Sequence, residues 1–207
     1  MGFVAVVDYG MGNLDSVRRA LEVGGATVVV TSDPEDLAEA DRIVLPGVGA
    51  FGIAMDNLRE RGLDQALREQ VVEQGAPFLG ICLGMQLMAA TGSEHGSHQG
   101  LGWIPGSVDR LEPTVEDPRI PHVGWNEVHP TVDHPLFDGV EADRDFYFVH
   151  SYAFRCDQPA EALATTPYAG GFTSVVGRDN YVGVQFHPEK SQQVGHALLA
   201  NFLRWHG

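Results

Sequence analysis

Over the first ninety positions, hydrophobic and polar residues alternate between two textures. Short runs dominated by apolar and β-branched residues occur at 3–7, 27–30, 42–45 and 77–81, and read as strands buried on both faces. Between them, apolar side chains recur three and four positions apart. Residues 14–23 make such a helix, closed by Gly24-Gly25, and a second runs to about residue 40 with Asp33 as N-cap and Pro34 at the first helical position. A third stretch, 55–74, carries Leu58, Leu63, Leu67 and Val71 and should break into two helices at Gly62. Buried strands alternating with amphipathic helices predict an α/β fold, a mostly parallel sheet flanked by helices. From residue 92 onward Gly and Pro are scattered among short β-rich runs at 146–149, 173–176 and 181–186, which predicts an antiparallel, β-rich C-terminal half. A last helix over about 193–205 places Val194, Ala197, Leu198, Phe202 and Leu203 on one side. No linker or repeat interrupts the chain, so residues 1–207 are expected to form a single domain.

Charge narrows the function classes. Thirteen Lys and Arg against 28 Asp and Glu give a net charge of −15, which repels phosphate backbones and anionic membrane surfaces, so neither nucleic acid nor membrane is an expected partner. The longest apolar stretch, 76–90, is interrupted by Pro77, Gly80, Gly84 and Gln86 and falls short of the roughly 20 residues a membrane span needs. Met1 to Asp8 show neither a basic leader nor a small-residue cleavage site, and two cysteines are too few for a disulfide framework; a cytoplasmic, reducing location is expected. Lys190 is the sole lysine. Lysine avoidance beside surplus carboxylates is the composition expected of a high-salt cytoplasm.

The segment richest in chemistry is Gly80-Ile81-Cys82-Leu83-Gly84-Met85-Gln86, which follows an apolar strand and opens into a helical stretch over 83–90. It reads as a nucleophile elbow with Cys in place of Ser. Glycines on either side of the nucleophile let the backbone turn sharply, the helix N-terminus favours the thiolate, and Leu83 N–H points where an oxyanion would form. A buried cysteine in a tight glycine turn is the alternative. Near the C-terminus, His187-Pro188-Glu189 ends another strand. The spacing lets the Glu189 carboxylate reach one ring nitrogen of His187 while the other faces a nucleophile. Active sites in parallel sheets gather at the carboxyl ends of strands, so Cys82, His187 and Glu189 are the candidate catalytic triad.

Gly-x-Cys-x-Gly-x-Gln around Cys82, together with Gly-Val-Gln-Phe-His-Pro-Glu ending at Glu189, resembles the motif pair of class I, triad-type glutamine amidotransferases. Within that family, the segments 8–14, 45–51, 124–126 and 147–152 resemble the glutaminase subunits of imidazole glycerol phosphate synthases, with Val123 where Met is expected. The resemblance implies the class I glutamine amidotransferase fold, and hydrolysis of glutamine to glutamate and ammonia through a thioester on Cys82. It further implies delivery of the ammonia to a (β/α)8-barrel cyclase, in a 1:1 heterodimer serving histidine biosynthesis. His187 would protonate the departing ammonia and then activate water, with the oxyanion held by Leu83 N–H and an amide of the Gly47-Val48-Gly49 loop. Gln86, one helical turn beyond Cys82, would hold glutamine together with Ser151 and Tyr152. Neither cofactor nor metal is called for. Lys190, directly after the triad, is expected to make a salt bridge near the partner-facing mouth, with an ordinary surface lysine as the alternative.

Other readings compete. Gly47 to Gly52 also spell G-x-G-x-x-G, but after the third strand, behind Pro46, and without an acidic residue ending a following strand. His95 and His98 have the spacing of metal ligands but sit in a polar loop with no third ligand in view. A non-catalytic binding subunit on the same fold, or a glutaminase serving another synthase such as the pyridoxal phosphate type, stays open. His150 is a weaker base candidate than His187, and Cys156, lacking an elbow, is expected to be structural.

Overall fold

Strand β1 (Val4–Val7) shows why the first half folds as it does. Val4 and Val6 enter one hydrophobic core and Ala5 and Val7 the other, the two-residue alternation of a strand covered on both faces. β1 pairs in parallel with β2 (Val28–Thr31) and β3 (Arg42–Gly47), β3 with β4 (Phe78–Cys82), and β4 with β13 (Tyr181–Val184). Helices α1 (Leu14–Val23) and α6 (Gln192–Arg204) cover one face through Val17, Leu21, Leu198 and Phe202. Helices α2 (Pro34–Glu39), α3 (Phe51–Glu60) and α4 (Leu63–Leu67) cover the other through Leu37, Met55, Leu58 and Leu67. Asp33 caps α2 by accepting from Glu35 N–H at 3.0 Å, with Pro34 at its start as the sequence predicts. Gly62 separates α3 from α4, which runs on as a π-helical turn over Arg68–Glu73.

This computed structural model describes residues 2–141 and 144–207, and its thirteen strands belong to one sheet. Beyond β13 the sheet continues antiparallel through β12 (Phe172–Arg178), β10 (Tyr152–Cys156) and β7 (Ile104–Arg110). β8 (His122–Pro130) and β9 (Arg144–His150) pair antiparallel and branch off through β11 (Ala162–Thr166).

One expectation is overturned next to the cysteine. The helix predicted over 83–90 is a single turn, α5 (Leu83–Gln86), and the chain re-enters the sheet as β5 (Ala89–Gly92), parallel to β7 and closed by β6 (His98–Gln99). The carbonyls of Leu87, Met88 and Ala89 are taken by the amides of Leu101, Trp103 and Gly102, at 2.8, 3.0 and 3.0 Å. The segment leading from β6 into β7 therefore satisfies the backbone groups that a longer helix would have used.

β3, β4 and β13 stand side by side, with Gly47 level with Cys82 and Val184 level with Ile81. The carboxyl ends of three neighbouring parallel strands thus meet at one edge.

Candidate active site

At that edge the chain turns through Cys82 with φ 53° and ψ −107°, a conformation that costs an L-residue about 1–3 kcal/mol. Close packing enforces the turn. A Cβ on Gly80 would lie 2.7 Å from the Gly84 carbonyl, and one on Gly84 would overlap the Leu45 carbonyl oxygen. The four-residue α5 contributes little macrodipole, so the main counter-charge for a thiolate is His187.

His187 and Glu189 are both buried, with Nδ1 and Oε1 2.8 Å apart. Burial pulls the imidazole toward its neutral form, but Cys82 and Glu189 outweigh it and push its pKa up to about 9. Nε2, the nitrogen that Glu189 leaves free, is buried with no hydrogen-bond partner within normal distance among the described residues. The backbone is clamped here as well. His187 N–H donates to the Tyr147 carbonyl at 2.9 Å, and Ser191 Oγ donates to the His187 carbonyl at 2.6 Å while accepting from Tyr147 N–H at 3.0 Å. Strands far apart in sequence thereby bring Cys82, His187 and Glu189 to one place.

The cysteine opens onto a cavity of about 440 Å³, within the range of roughly 300–1,000 Å³ usual for small-molecule sites. Val48 and Gly49 form one wall, Leu83 and Gln86 line it beside the cysteine, and Ser151 and Tyr152 also border it. Gln86 is buried, and its Nε2 donates to the Tyr152 carbonyl at 2.9 Å and to Gln185 Oε1 at 3.0 Å, so its oxygen is the atom left for a ligand. The Ser151 carbonyl is taken by Leu111 N–H and that of Tyr152 by Gln86 and His150. Tyr152 opens β10 rather than ending the preceding strand.

A family model described as glutamine amidotransferase class-I matches residues 5–205. The chain belongs to this family. Relatives named imidazole glycerol phosphate synthase subunit HisH occur in Ruegeria pomeroyi (50% identical over 97% of this chain and 98% of theirs), Zymomonas mobilis (51%, 98% and 95%) and Symbiobacterium thermophilum (52%, 99% and 94%). The chain is therefore a class-I amidotransferase of the HisH group. A crystal structure of a glutamine amidotransferase shares the fold with a TM-score of 0.74 at 21% identity, covering 98% of each chain. A glutamine amidotransferase from Thermotoga maritima gives 0.71 at 18%, covering 98% of this chain and 96% of its own.

For this amidotransferase the competing assignments resolve on geometry. The G-x-G-x-x-G loop does precede a helix, but the Phe51 N–H at the start of α3 is occupied by Glu94 Oε2 at 2.9 Å, where a dinucleotide phosphate would have to sit. His98 packs its ring over Gly52. His150 borders the cavity, yet its Nδ1 meets the Tyr152 carbonyl at 2.9 Å and its Nε2 meets His122 Nδ1 at 3.0 Å. Burial holds it neutral, its pKa lowered to about 3. Cys156 is half-buried, its thiol pushed up to about 11 chiefly by burial, which disfavours a thiolate there. Lys190 is exposed; among the described residues it makes no ion pair, and its ammonium lies 5.8 Å from the centre of the Tyr147 ring.

Two polar side chains of the site escape the sequence reading. Glu94 sits on the cavity wall from a loop that reads only as polar. Gln185 lies inside the quoted Gly-Val-Gln-Phe-His-Pro-Glu run, fully buried, with Nε2 3.7 Å from Cys82 Sγ. An amide within an otherwise apolar strand end was the available sign.

Proposed function

We propose that the chain hydrolyses glutamine to glutamate and ammonia at Cys82. The ammonia passes to a (β/α)8-barrel cyclase subunit in a 1:1 heterodimer, which makes imidazole glycerol phosphate for histidine biosynthesis in the cytoplasm. The observation that carries the chemistry is the buried His187–Glu189 pair set against a strained Cys82 at the edge of a cavity. The names of the relatives support a partner subunit in a synthase, and its barrel form comes from the family resemblance alone.

The Cys82 thiolate attacks the side-chain amide carbon of glutamine, forming a tetrahedral oxyanion. Leu83 N–H, the first amide of α5, and an amide of the 47–49 loop hold that oxygen, each worth on the order of 3 kcal/mol of barrier. His187, protonated near neutral pH, gives its Nε2 proton to the leaving nitrogen as the C–N bond breaks. The neutral imidazole then takes a proton from water, hydroxide attacks the thioester, and glutamate departs as the C–S bond breaks. Glu189 fixes the ring throughout by holding its Nδ1. In the cavity, Glu94 and the Gln86 oxygen receive the substrate's α-ammonium.

Val48, Val123, Trp125 and Val149 are exposed apolar side chains; Val48 and Val149 border the cavity, and Val149 stands level with Val123 across β8 and β9. Such a patch beside a cavity mouth suits a docking partner, and Lys190 at the same side is assigned to an acidic group on it.

The test is glutamate release from glutamine by the purified chain, alone and with the barrel cyclase and its nucleotide substrate. Release should rise strongly in the complex and vanish in Cys82→Ala. Release that persists in Cys82→Ala overturns the triad, and absence of release with every synthase partner leaves the binding-subunit reading in its place.

A further inference from the structure

The contact between Gln185 and the nucleophile belongs to a longer arrangement. A carboxamide can be seated either way round, and at Gln185 its neighbours decide. Gln86 Nε2 donates both its hydrogens, to the Tyr152 carbonyl and to Gln185 Oε1, and has nothing with which to accept. Gln185 must therefore turn its oxygen to Gln86 and its NH2 to Cys82 Sγ, 3.7 Å away.

The anchor of this order is rigid. The Tyr152 carbonyl also receives His150 Nδ1–H, which makes His150 Nε2 an acceptor. His122 Nδ1 donates to it at 3.0 Å, and His122 Nε2 in turn accepts from Asn126 Nδ2 at 3.3 Å. Both rings are buried, with His122 stacked on Tyr168 at 3.9 Å between centroids. The donors and acceptors fit with each imidazole neutral, in a single tautomer.

We propose that Gln185 is a positioning residue for the nucleophile. Its N–H, oriented through Gln86, holds the Cys82 sulfur so that one lone pair faces the cavity while another faces His187. The inference rests on the glutaminase reading above. A thiolate free to rotate would spend much of its time outside the attack direction, and misplacement by about 1 Å can cost on the order of a hundredfold in rate. Once the thioester has formed, the same N–H meets the sulfur again as negative charge returns to it and glutamate leaves.

The experiment compares unmodified chain, Gln185→Met and Gln185→Glu, with Cys82→Ala as the blank. Readouts are kcat and KM for glutamine, the rate at which iodoacetamide alkylates the Cys82 peptide, and the thermal transition. Gln185→Met keeps the length of the side chain and lacks the donor. It should unfold cooperatively near the unmodified temperature, lose roughly tenfold or more in kcat with KM within about twofold, and alkylate correspondingly slowly. Gln185→Glu keeps the acceptor for Gln86 but turns an oxygen toward sulfur. Its kcat should fall away from the unmodified profile between about pH 6 and 9, where a buried Glu ionises. A merely structural role would lower stability without that pH dependence. A folded Gln185→Met with unchanged kcat and alkylation overturns the inference while Cys82-dependent release leaves the glutaminase reading intact. If Gln185→Met loses its cooperative transition, a Gln185→Glu profile parallel to that of the unmodified chain overturns it instead. Absence of Cys82-dependent release in the unmodified chain overturns the reading itself, and the inference with it.

Discussion

Glu94 divides its two oxygens. Oε2 accepts from Phe51 N–H at 2.9 Å, at the start of α3, where the exposed amides of the first turn favour negative charge. Oε1 has no hydrogen-bond partner among the described residues, and the side chain borders the cavity that holds Cys82. An α-ammonium placed there gains a charge-assisted bond, worth about 1.5–3 kcal/mol. Glu94→Gln keeps an oxygen for Phe51 and removes only the charge. We expect KM for glutamine to rise about 10- to 100-fold, the equivalent of that bond, with kcat changed far less. Steady-state kinetics with and without the substitution decide it. An unchanged KM would place the ammonium elsewhere in the cavity.

At the scale of elements, β8 and β9 are joined across their pairing by His122 and His150, which stand level in the register and share a hydrogen bond. Burial, its largest cause, lowers the pKa of His122 to about 4 and of His150 to about 3. An unfolded chain binds these protons near pH 6.5, so between that value and the folded pKa values the unfolded state holds more protons. Stability must then fall as pH drops, by up to about 1.4 kcal/mol per pH unit for each ring. Urea midpoints measured from pH 7 down to 5 should decline, and a chain carrying His122→Phe with His150→Leu should decline less steeply. Parallel slopes would mean that the pair is not held neutral. The pair was not legible in the sequence, and of its two strands only β9 was, through the β-rich run at 146–149. β7 alternates in burial, but Pro105 and Gly106 hide that alternation in the sequence, and β5 hides in a run whose Leu83, Leu87 and Met88 fit a helix until β7 recruits it. By contrast α1 and α2 announce themselves through Gly24-Gly25 and Asp33-Pro34, signals that act within a few residues. The site divides the same way. The triad proposed at Cys82, His187 and Glu189 is read from local spacing, whereas Glu94 and Gln185 reach the site through contacts with residues 43 and 103 positions away.

Across the whole molecule, the surface is governed by a net charge of −15. Several of the 12 arginines are spent on exposed pairs with neighbours on the same helix, Arg18 with Asp15 and Glu22 at 2.7 and 2.8 Å, and Arg19 with Asp15 at 2.7 Å. Exposed pairs contribute about 0–1 kcal/mol each and leave the remaining carboxylates to repel one another in the compact state. Added salt shortens the range of that repulsion from about 10 Å at 0.1 M to about 3 Å at 1 M. The unfolded chain spreads its charges apart and gains less from screening. Stability should therefore increase with KCl, by roughly 5 °C in the thermal midpoint between 0.1 and 1 M if screening recovers about 2 kcal/mol. The exposed ion pairs oppose this trend only weakly, because each is worth so little. Calorimetry in a KCl series, repeated with NaCl to separate screening from a potassium-specific effect, measures it. A midpoint that does not move would show that the carboxylate excess costs the folded chain little in dilute buffer, and adaptation to a salty cytoplasm would lose its support.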